Sequence, residues 1–518
     1  MQLMNCSRLF APALCALLVP AFSIAQNAAS FKIVTSNAQT DTPGNIYAVD
    51  VNNDGLTDIV SDGGYSPAAF YVSINTGNGT FAAPVQYLLP VNNQEPMCVA
   101  AADYNHDGRV DLAVPLGGTN QVAVYLGKGD GTFQSPIIST VNFPQSYYTF
   151  AGSAGCGAAD FNGDGATDLA AWSSNGELYV MQGAGNGNFN ATPYSALAGF
   201  SSFSGNPVFV GDYNGDGKAD IATATATQNN GTTINVLYGN NNFTFTPATP
   251  YTSSNLVWLG SGDLNSDGIT DLYALTNYGS GPQQIGLFYG SKSSTFSSYW
   301  YDTPSDYRVG AGAAAQPFTS QLTMADLNGD GRMDLAAVAI DSNFNEFAIA
   351  FLAGADPGQF TAQEFALPTN SPWLTSPVAG LLSGGYRKPD VTVNQSNQGS
   401  GDPTPSTLTA LLNTTSAPFG LCPYPKSGKG FNVCAPGVSR GNVAAFSTSA
   451  ASFGQMRKIE LWVDGKKVQE QDHAWDTHAY FDWAGTFSNG THHATFYAYD
   501  VDNTAQRYDF TFKTNTQH

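Results

Sequence analysis

One nine-residue pattern, D-x-N-x-D-G-x-x-D, recurs six times without a departure and decides most of what this chain can become. The copies open at Asp50, Asp103, Asp160, Asp212, Asp263 and Asp326 and close on Asp58, Asp111, Asp168, Asp220, Asp271 and Asp334. A seventh stretch, residues 382–390 (LSGGYRKPD), keeps the frame and the closing Pro-Asp but has lost the first and middle carboxylates. Successive copies start 51 to 63 residues apart. A period of that size marks repeated supersecondary units, none of which can bury its apolar face alone.

Strand signals recur in the same order within each unit. In the second, residues 97–102 are small and apolar, the loop follows, and residues 112–114 form the next short run. A turn at residues 117–120 leads to an alternating third strand, residues 121–126, and a glycine-rich turn ending in Phe133 introduces a fourth. Four strands per unit and seven units predict an all-β chain folded as a seven-bladed β-propeller over residues 26–416. The first apolar stretch, Phe31-Lys-Ile-Val, has the pattern of a fourth strand, whereas the seventh unit stops after its third, at residues 407–412. The N-terminal strand is therefore expected to complete the last blade and close the ring. An open solenoid is the alternative.

The loops place oxygen-bearing side chains at positions 1, 3, 5 and 9, a glycine at 6 for a sharp turn, and a backbone carbonyl at 7. Such a set suits Ca²⁺, which takes six to eight hard oxygen ligands at about 2.4 Å. Histidine and cysteine are absent from it, which argues against zinc or copper. The candidate ligands are Asp50, Asn52, Asp54, Leu56 and Asp58; Asp103, Asn105, Asp107, Arg109 and Asp111; and Asp160, Asn162, Asp164, Ala166 and Asp168. They continue with Asp212, Asn214, Asp216, Lys218 and Asp220; Asp263, Asn265, Asp267, Ile269 and Asp271; and Asp326, Asn328, Asp330, Arg332 and Asp334. The residue at position 7 contributes only its carbonyl. Turn capping by Asp and Asn is the competing explanation, but three carboxylates in one small turn repel unless a cation holds them. The expectation is about six structural Ca²⁺ ions.

Composition now makes sense. The net charge of −21 argues against a nucleic-acid binder, yet 18 of the 34 aspartates lie in the six loops. Only 11% of residues are charged and 42% are hydrophobic, so the chain can bury a large core. Residues 1–25 carry Arg8, an apolar run and Ser-Ile-Ala before Gln26, the form of a secretory signal cleaved after Ala25. A secreted, extracellular or cell-surface location follows, with no membrane span in the mature chain. Cys422 and Cys434 bracket a Pro/Gly-rich loop and are read as a disulfide. Cys98 and Cys156, on equivalent strands of neighbouring units, are read as separate buried side chains, with a bridge as the alternative.

These loops, with the Gly-x-Gly-x-Phe-like turns (Gly127-Lys-Gly-Asp-Gly-Thr-Phe133 among them), resemble the FG-GAP/VCBS repeat family, whose best-known relatives are the propellers of integrin α subunits. The resemblance spans about 385 residues and implies a seven-bladed propeller with Ca²⁺ in loops on one face. The seventh unit departs from the motif, which removes the basis for a seventh ion. Members include adhesion modules, lectin-like binders and some enzymes, so the fold does not settle the activity. Residues 417–518 change character to short alternating strands around Leu461-Trp-Val-Asp-Gly465 and are expected to form an Ig-like sandwich.

A Gly-x-Ser-x-Gly match at Ser439 lacks the helix that a nucleophile elbow needs. His473, His478, His492 and His493 are read as exposed strand positions rather than a metal cluster. A ligand face is placed opposite the ions, where Tyr147, Tyr148, Phe150, Trp300, Tyr301, Tyr307 and Trp373 accompany Asp302, Asp306 and Arg308. Flat aromatic groups beside polar ones suit a glycan or protein partner; packing between blades is the competing role. The expected protein is a monomeric extracellular binding or adhesion module. A polysaccharide-degrading lyase or hydrolase is the alternative, and a structural spacer the third.

Overall fold

The computed structural model describes residues 28–514 apart from 38–42, 55, 66, 91–97, 147–148, 152–154, 199–206, 227–231, 249–250, 254–255, 266, 277–282, 310–321, 329–331, 342–345, 355, 368–372, 375–376, 381, 383–388, 397–406, 416–425, 429–430, 435–442 and 501–504. The described residues are all-β. In the second unit the strands Ala100–Ala102, Asp111–Leu116, Gln121–Tyr125 and Ile137–Thr140 pair antiparallel in chain order. Every residue of Asp111–Leu116 is buried, while Ile137–Thr140 alternates between covered and exposed. A short continuous apolar run is the mark of a strand covered on both faces, and an alternating one of a strand with one face in water. The middle strands are therefore core and the fourth is the outer edge.

Among the described residues this order builds seven sheets of four or five strands. Their first strands touch in sequence, from Ala100–Ala102 through Cys156–Ala159, Phe209–Gly211, Leu256–Gly262 and Leu322–Ala325 to Val378–Gly380, which touches Pro43–Val49 of the first sheet. The apolar clusters follow the same path. One joins Phe70 of the first sheet to Leu112 and Val114 of the second; another runs through Val124, Trp172 and Val210 of the second, third and fourth. Others join the fourth to the fifth, the fifth to the sixth, and the sixth to the seventh. Ile46 and Ile59 meet Leu408, which carries the core from the seventh sheet back to the first. The arrangement is a β-propeller. As expected, Phe31–Asn37 pairs antiparallel with Thr407–Asn413, from Phe31 opposite Asn413 to Asn37 opposite Thr407, so the N-terminal strand forms the outer edge of the last sheet.

The same geometry corrects one expectation. Cys98 and Cys156 are not separate buried side chains; they form a disulfide with their Cα atoms 5.9 Å apart across 58 residues of sequence. The bridge ties the segment just before the inner strand Ala100–Ala102 to the inner strand Cys156–Ala159 of the next sheet. Cys422 lies outside the described residues, as does the side chain of Cys434.

The C-terminal region forms a six-stranded sheet around two 21-residue strands, Val443–Val463 and Lys466–Thr486, in place of the shorter strands expected. Their hairpin turns at Asp464-Gly465, both with positive φ (50° and 76°), the geometry an Asp-Gly turn favours. Pairing is interrupted between Ala451 and Met456 and again before Lys458. A straight strand would separate Phe446 from Ile459 by about 43 Å at the usual rise, yet both belong to one core with Leu461, Phe496, Phe510 and Phe512. The strand therefore bends at its bulges and lays its first half over its second. Val443–Val463 touches the inner strand of the second propeller sheet, and Lys466–Thr486 touches those of the fourth and fifth.

Candidate functional site

Each loop is built by its own side chains bonding to its own backbone. The position-1 aspartate accepts from the position-5 N–H, at 3.2 Å for Asp50, 3.1 Å for Asp103, 3.2 Å for Asp160, 3.0 Å for Asp212 and 3.1 Å for Asp263. The position-3 asparagine accepts from that same N–H, and the position-5 carboxylate accepts from the position-7 N–H, as in Asp107 with Arg109 at 3.0 Å. The position-6 glycine N–H donates to the other oxygen of position 1 at 2.7 Å in the Asp103, Asp160 and Asp212 loops. These bonds require left-handed backbone at positions 4 and 6, seen at His106 and Gly108 (φ 60° and 76°). Position 6 is glycine because only glycine adopts that conformation freely.

The closing aspartate has a task that the motif does not announce. In all six loops it is fully buried and both its oxygens accept backbone N–H groups. Asp111 takes Tyr104 N–H at 3.0 Å and Gly127 N–H at 2.8 Å; Asp220 takes Tyr213 at 2.9 Å and Gly239 at 2.7 Å. It thereby ties the loop to the end of the third strand. The partner is glycine in the second to fifth sheets, because a Cβ at Gly127 would stand 2.0 Å from the Val110 carbonyl oxygen. The seventh unit retains this staple alone: Asp390 accepts from Leu382 at 2.9 Å and from Asn413 at 2.6 Å.

Burial, with the neighbouring position-1 and position-5 carboxylates, pushes Asp58, Asp168 and Asp220 up to about 8 and Asp111 to about 7. Among the described residues, two loops carry a partial counterion in Arg109, 3.1 Å from Asp107, and Lys218, 3.0 Å from Asp216. Arg457 of the C-terminal hairpin reaches the fourth loop, its guanidinium 3.9 Å from where a Cβ on Gly217 would stand. The donor set is all oxygen and matches calcium chemistry. As placed, no three His, Cys, Asp or Glu side chains among the described residues converge as an ion cage. The carboxylates engage backbone amides instead. Of the sixth loop, Asp330 lies outside the described residues.

Of the expected ligand face, the structure describes the side chains of Phe150, Trp300, Tyr301, Asp302, Asp306 and Arg308. Tyr301 stands on the outer strand Ser297–Asp302 and packs edge-on against Phe351 and Phe360 of the next sheet, at 6.0 and 5.3 Å. Phe150 is buried against Phe143. Trp300 is 41% exposed on the same outer strand as Tyr301. Tyr147 and Tyr148 lie outside the described residues, as do the side chains of Tyr307 and Trp373. Ser439 and the side chains of His473 and His478 do too. His492 departs from the expected exposed position: it is buried, with Nδ1 2.6 Å from Asp464 Oδ2 and Nε2 2.8 Å from the Ser488 carbonyl.

An FG-GAP-like repeat model matches residues 50–114, 116–171, 160–223, 212–274 and 263–337, which together exceed half of the chain. No curated protein matches it by sequence. Among solved structures it is similar to an Agrocybe aegerita lectin specific for non-reducing terminal N-acetylglucosamine, at 17% identity and TM-score 0.43, over 76% of this chain and 97% of that one. It is also similar to BBS1N in a complex with ARL6DN (11%, TM-score 0.45, 75% and 99% covered). A β-fructofuranosidase of Schwanniomyces occidentalis is a third (8%, TM-score 0.33, 76% and 93% covered). The five matched repeats, each beginning on or near an oxygen loop and running through the sheet that follows, make this chain a member of the FG-GAP-like repeat family.

Proposed function

We propose that this chain is an exported, calcium-stabilised seven-bladed propeller with a C-terminal Ig-like module, acting as an extracellular or cell-surface binding protein for a glycan or protein partner. The observation that carries the calcium role is the repetition of one all-oxygen donor set in six loops, each with three carboxylates within a single turn. A divalent cation relieves that repulsion and bridges the two strands that the turn connects. Its binding energy becomes folding energy, because the unfolded chain holds no such site. Asp330 and Asp334 of the sixth loop complete the set by the same motif.

Repeated sheets that bury their middle strands leave loops and outer edges as the surfaces on which a partner can be recognised. Incubation with a panel of polysaccharides tests this. Binding without new reducing ends or unsaturated products is expected; such products would overturn the binding role in favour of a lyase or hydrolase. Export is tested by cell fractionation, with the mature N-terminus expected at Gln26.

A further inference from the structure

We propose that the outward face of the C-terminal sheet is a binding site for a neutral sugar, with Trp462 as stacking platform, Tyr497 as its side wall, and Arg507 and Asp509 as hydrogen-bonding edge. The site lies on a different module from the propeller, and its existence does not depend on what the propeller binds.

Strand register assembles it. Trp462 stands opposite Thr495, and Thr495 opposite Asp509; one row over, Glu460 stands opposite Tyr497, and Tyr497 opposite Arg507. With strands about 4.8 Å apart, the two rows make a patch about 10 Å wide. The alternate residues Leu461, Val463, Phe496 and Phe510 point into the core and hold its floor. Trp462, Thr495, Tyr497, Arg507 and Asp509 bound a concavity of about 460 Å³ that opens beside Gly465, within the range of small-molecule sites.

The platform is held in place. Trp462 Nε1 donates to Glu460 Oε2 at 2.8 Å, and Glu460 is only 4% exposed. Tyr497 meets the indole edge-on, with centroids 6.2 Å apart at 78°, and the Arg507 guanidinium lies 5.7 Å from the Tyr497 ring centre. Arg507 also donates to Asp509 through Nε (3.1 Å) and Nη2 (2.9 Å), and the Thr495 hydroxyl donates to the same carboxylate at 2.6 Å.

Charge selects the ligand class. Lys458 and Lys467 pair with Glu460 and Glu470, and Arg507 with Asp509, so three cations meet three carboxylates and no net charge remains for an anion. The site offers the electron-rich face of Trp462 beside a carboxylate acceptor and a guanidinium donor. A pyranose has the matching surfaces: an apolar C–H face for the indole and equatorial hydroxyls for the edge. The overall charge of −21 further opposes a nucleic acid.

The test uses the full chain and four probes, cellohexaose, xylohexaose, mannohexaose and chitohexaose, titrated by calorimetry and tryptophan fluorescence. At least one is expected to bind, with Trp462→Ala and Arg507→Ala each weakening it roughly tenfold or more. Arg507→Ala alters an exposed side chain and is expected to keep the parent melting temperature, which separates a lost site from a lost fold. Binding within twofold of the parent in both variants would place the sugar elsewhere, overturning this site while leaving the propeller's binding role intact. Binding of none of the four also overturns it, and the polysaccharide panel then decides the propeller's role separately.

Discussion

The first six loops and the seventh share their ending and differ in their beginning. All seven finish in a buried aspartate that accepts one backbone N–H from the start of its own loop and one from the end of the third strand. Only six begin with the oxygen cluster. The motif therefore overlays two parts: a hydrogen-bonded staple found in all seven sheets, and an oxygen cluster, proposed to hold calcium, that a sheet can lose. Asp390 shows the staple persisting where Asp-x-Asn-x-Asp has gone.

The largest effect is expected from removing the staple. Asp220→Ala orphans the Tyr213 and Gly239 N–H groups, and Asp390→Ala those of Leu382 and Asn413. At about 1–3 kcal/mol per buried unpaired group, each variant loses roughly 2–6 kcal/mol. Denaturant unfolding checks this. The comparison sharpens if the Asp390→Ala loss is the same with calcium or EGTA while the Asp220→Ala loss is larger in calcium; it breaks if Asp390→Ala is harmless.

Next comes the bridge between the second and third sheets. Replacing Cys98 and Cys156 together by serine is expected to cost roughly 2–4 kcal/mol by freeing the intervening loop in the unfolded chain. Calcium does not restore this loss, since the bridge and the loops act on different parts of the sheet. A melting temperature unchanged from the parent would show the bridge to be idle.

A smaller effect is expected from removing one carboxylate of the oxygen cluster while sparing the staple. Asp216→Asn removes a position-5 carboxylate and keeps the amide contacts of Asp220. It is expected to abolish one calcium site and reduce the calcium-dependent stabilisation by about 1–2 kcal/mol, with little change in EGTA. Equal destabilisation in both conditions would mean the carboxylate serves only the turn.

The smallest effect lies in the C-terminal module, which has no such loops. The Asp464 carboxylate and the Ser488 carbonyl both favour protonated His492, raising its pKa above the ordinary 6.5. The folded state thus keeps a proton that the unfolded state releases. Its contribution is complete below pH 6.5 and fades as pH climbs through the raised value. His492→Gln is expected to flatten the melting profile between pH 6 and 9 by on the order of a few degrees. An unchanged slope would assign the proton elsewhere.

Much of this was written in the chain. The loop period gave the units, alternation separated the outer Ile137–Thr140 from the buried Asp111–Leu116, and the missing fourth strand after residues 407–412 foretold the pairing of Phe31–Asn37. What escaped depends on the closed arrangement. Cys98 and Cys156 come together only once adjacent inner strands are in register. The packing of half-buried Tyr301 on Phe351 and Phe360 exists only once the next sheet stands beside it. The staple of the closing aspartate is hidden behind its place in an oxygen-rich motif, and Asp390, which keeps the staple without the cluster, was the clue that could have revealed it. In the C-terminal module, local alternation marked strands but not the bulges that let Val443–Val463 fold over itself.

The most direct test is to count calcium and measure melting on the same preparation. Elemental analysis after dialysis should give about six ions per chain, and EGTA should lower the melting temperature by several degrees or more. Fewer than two ions, with the same melting temperature in calcium and EGTA, would contradict the account and leave all seven loops as hydrogen-bonded turns.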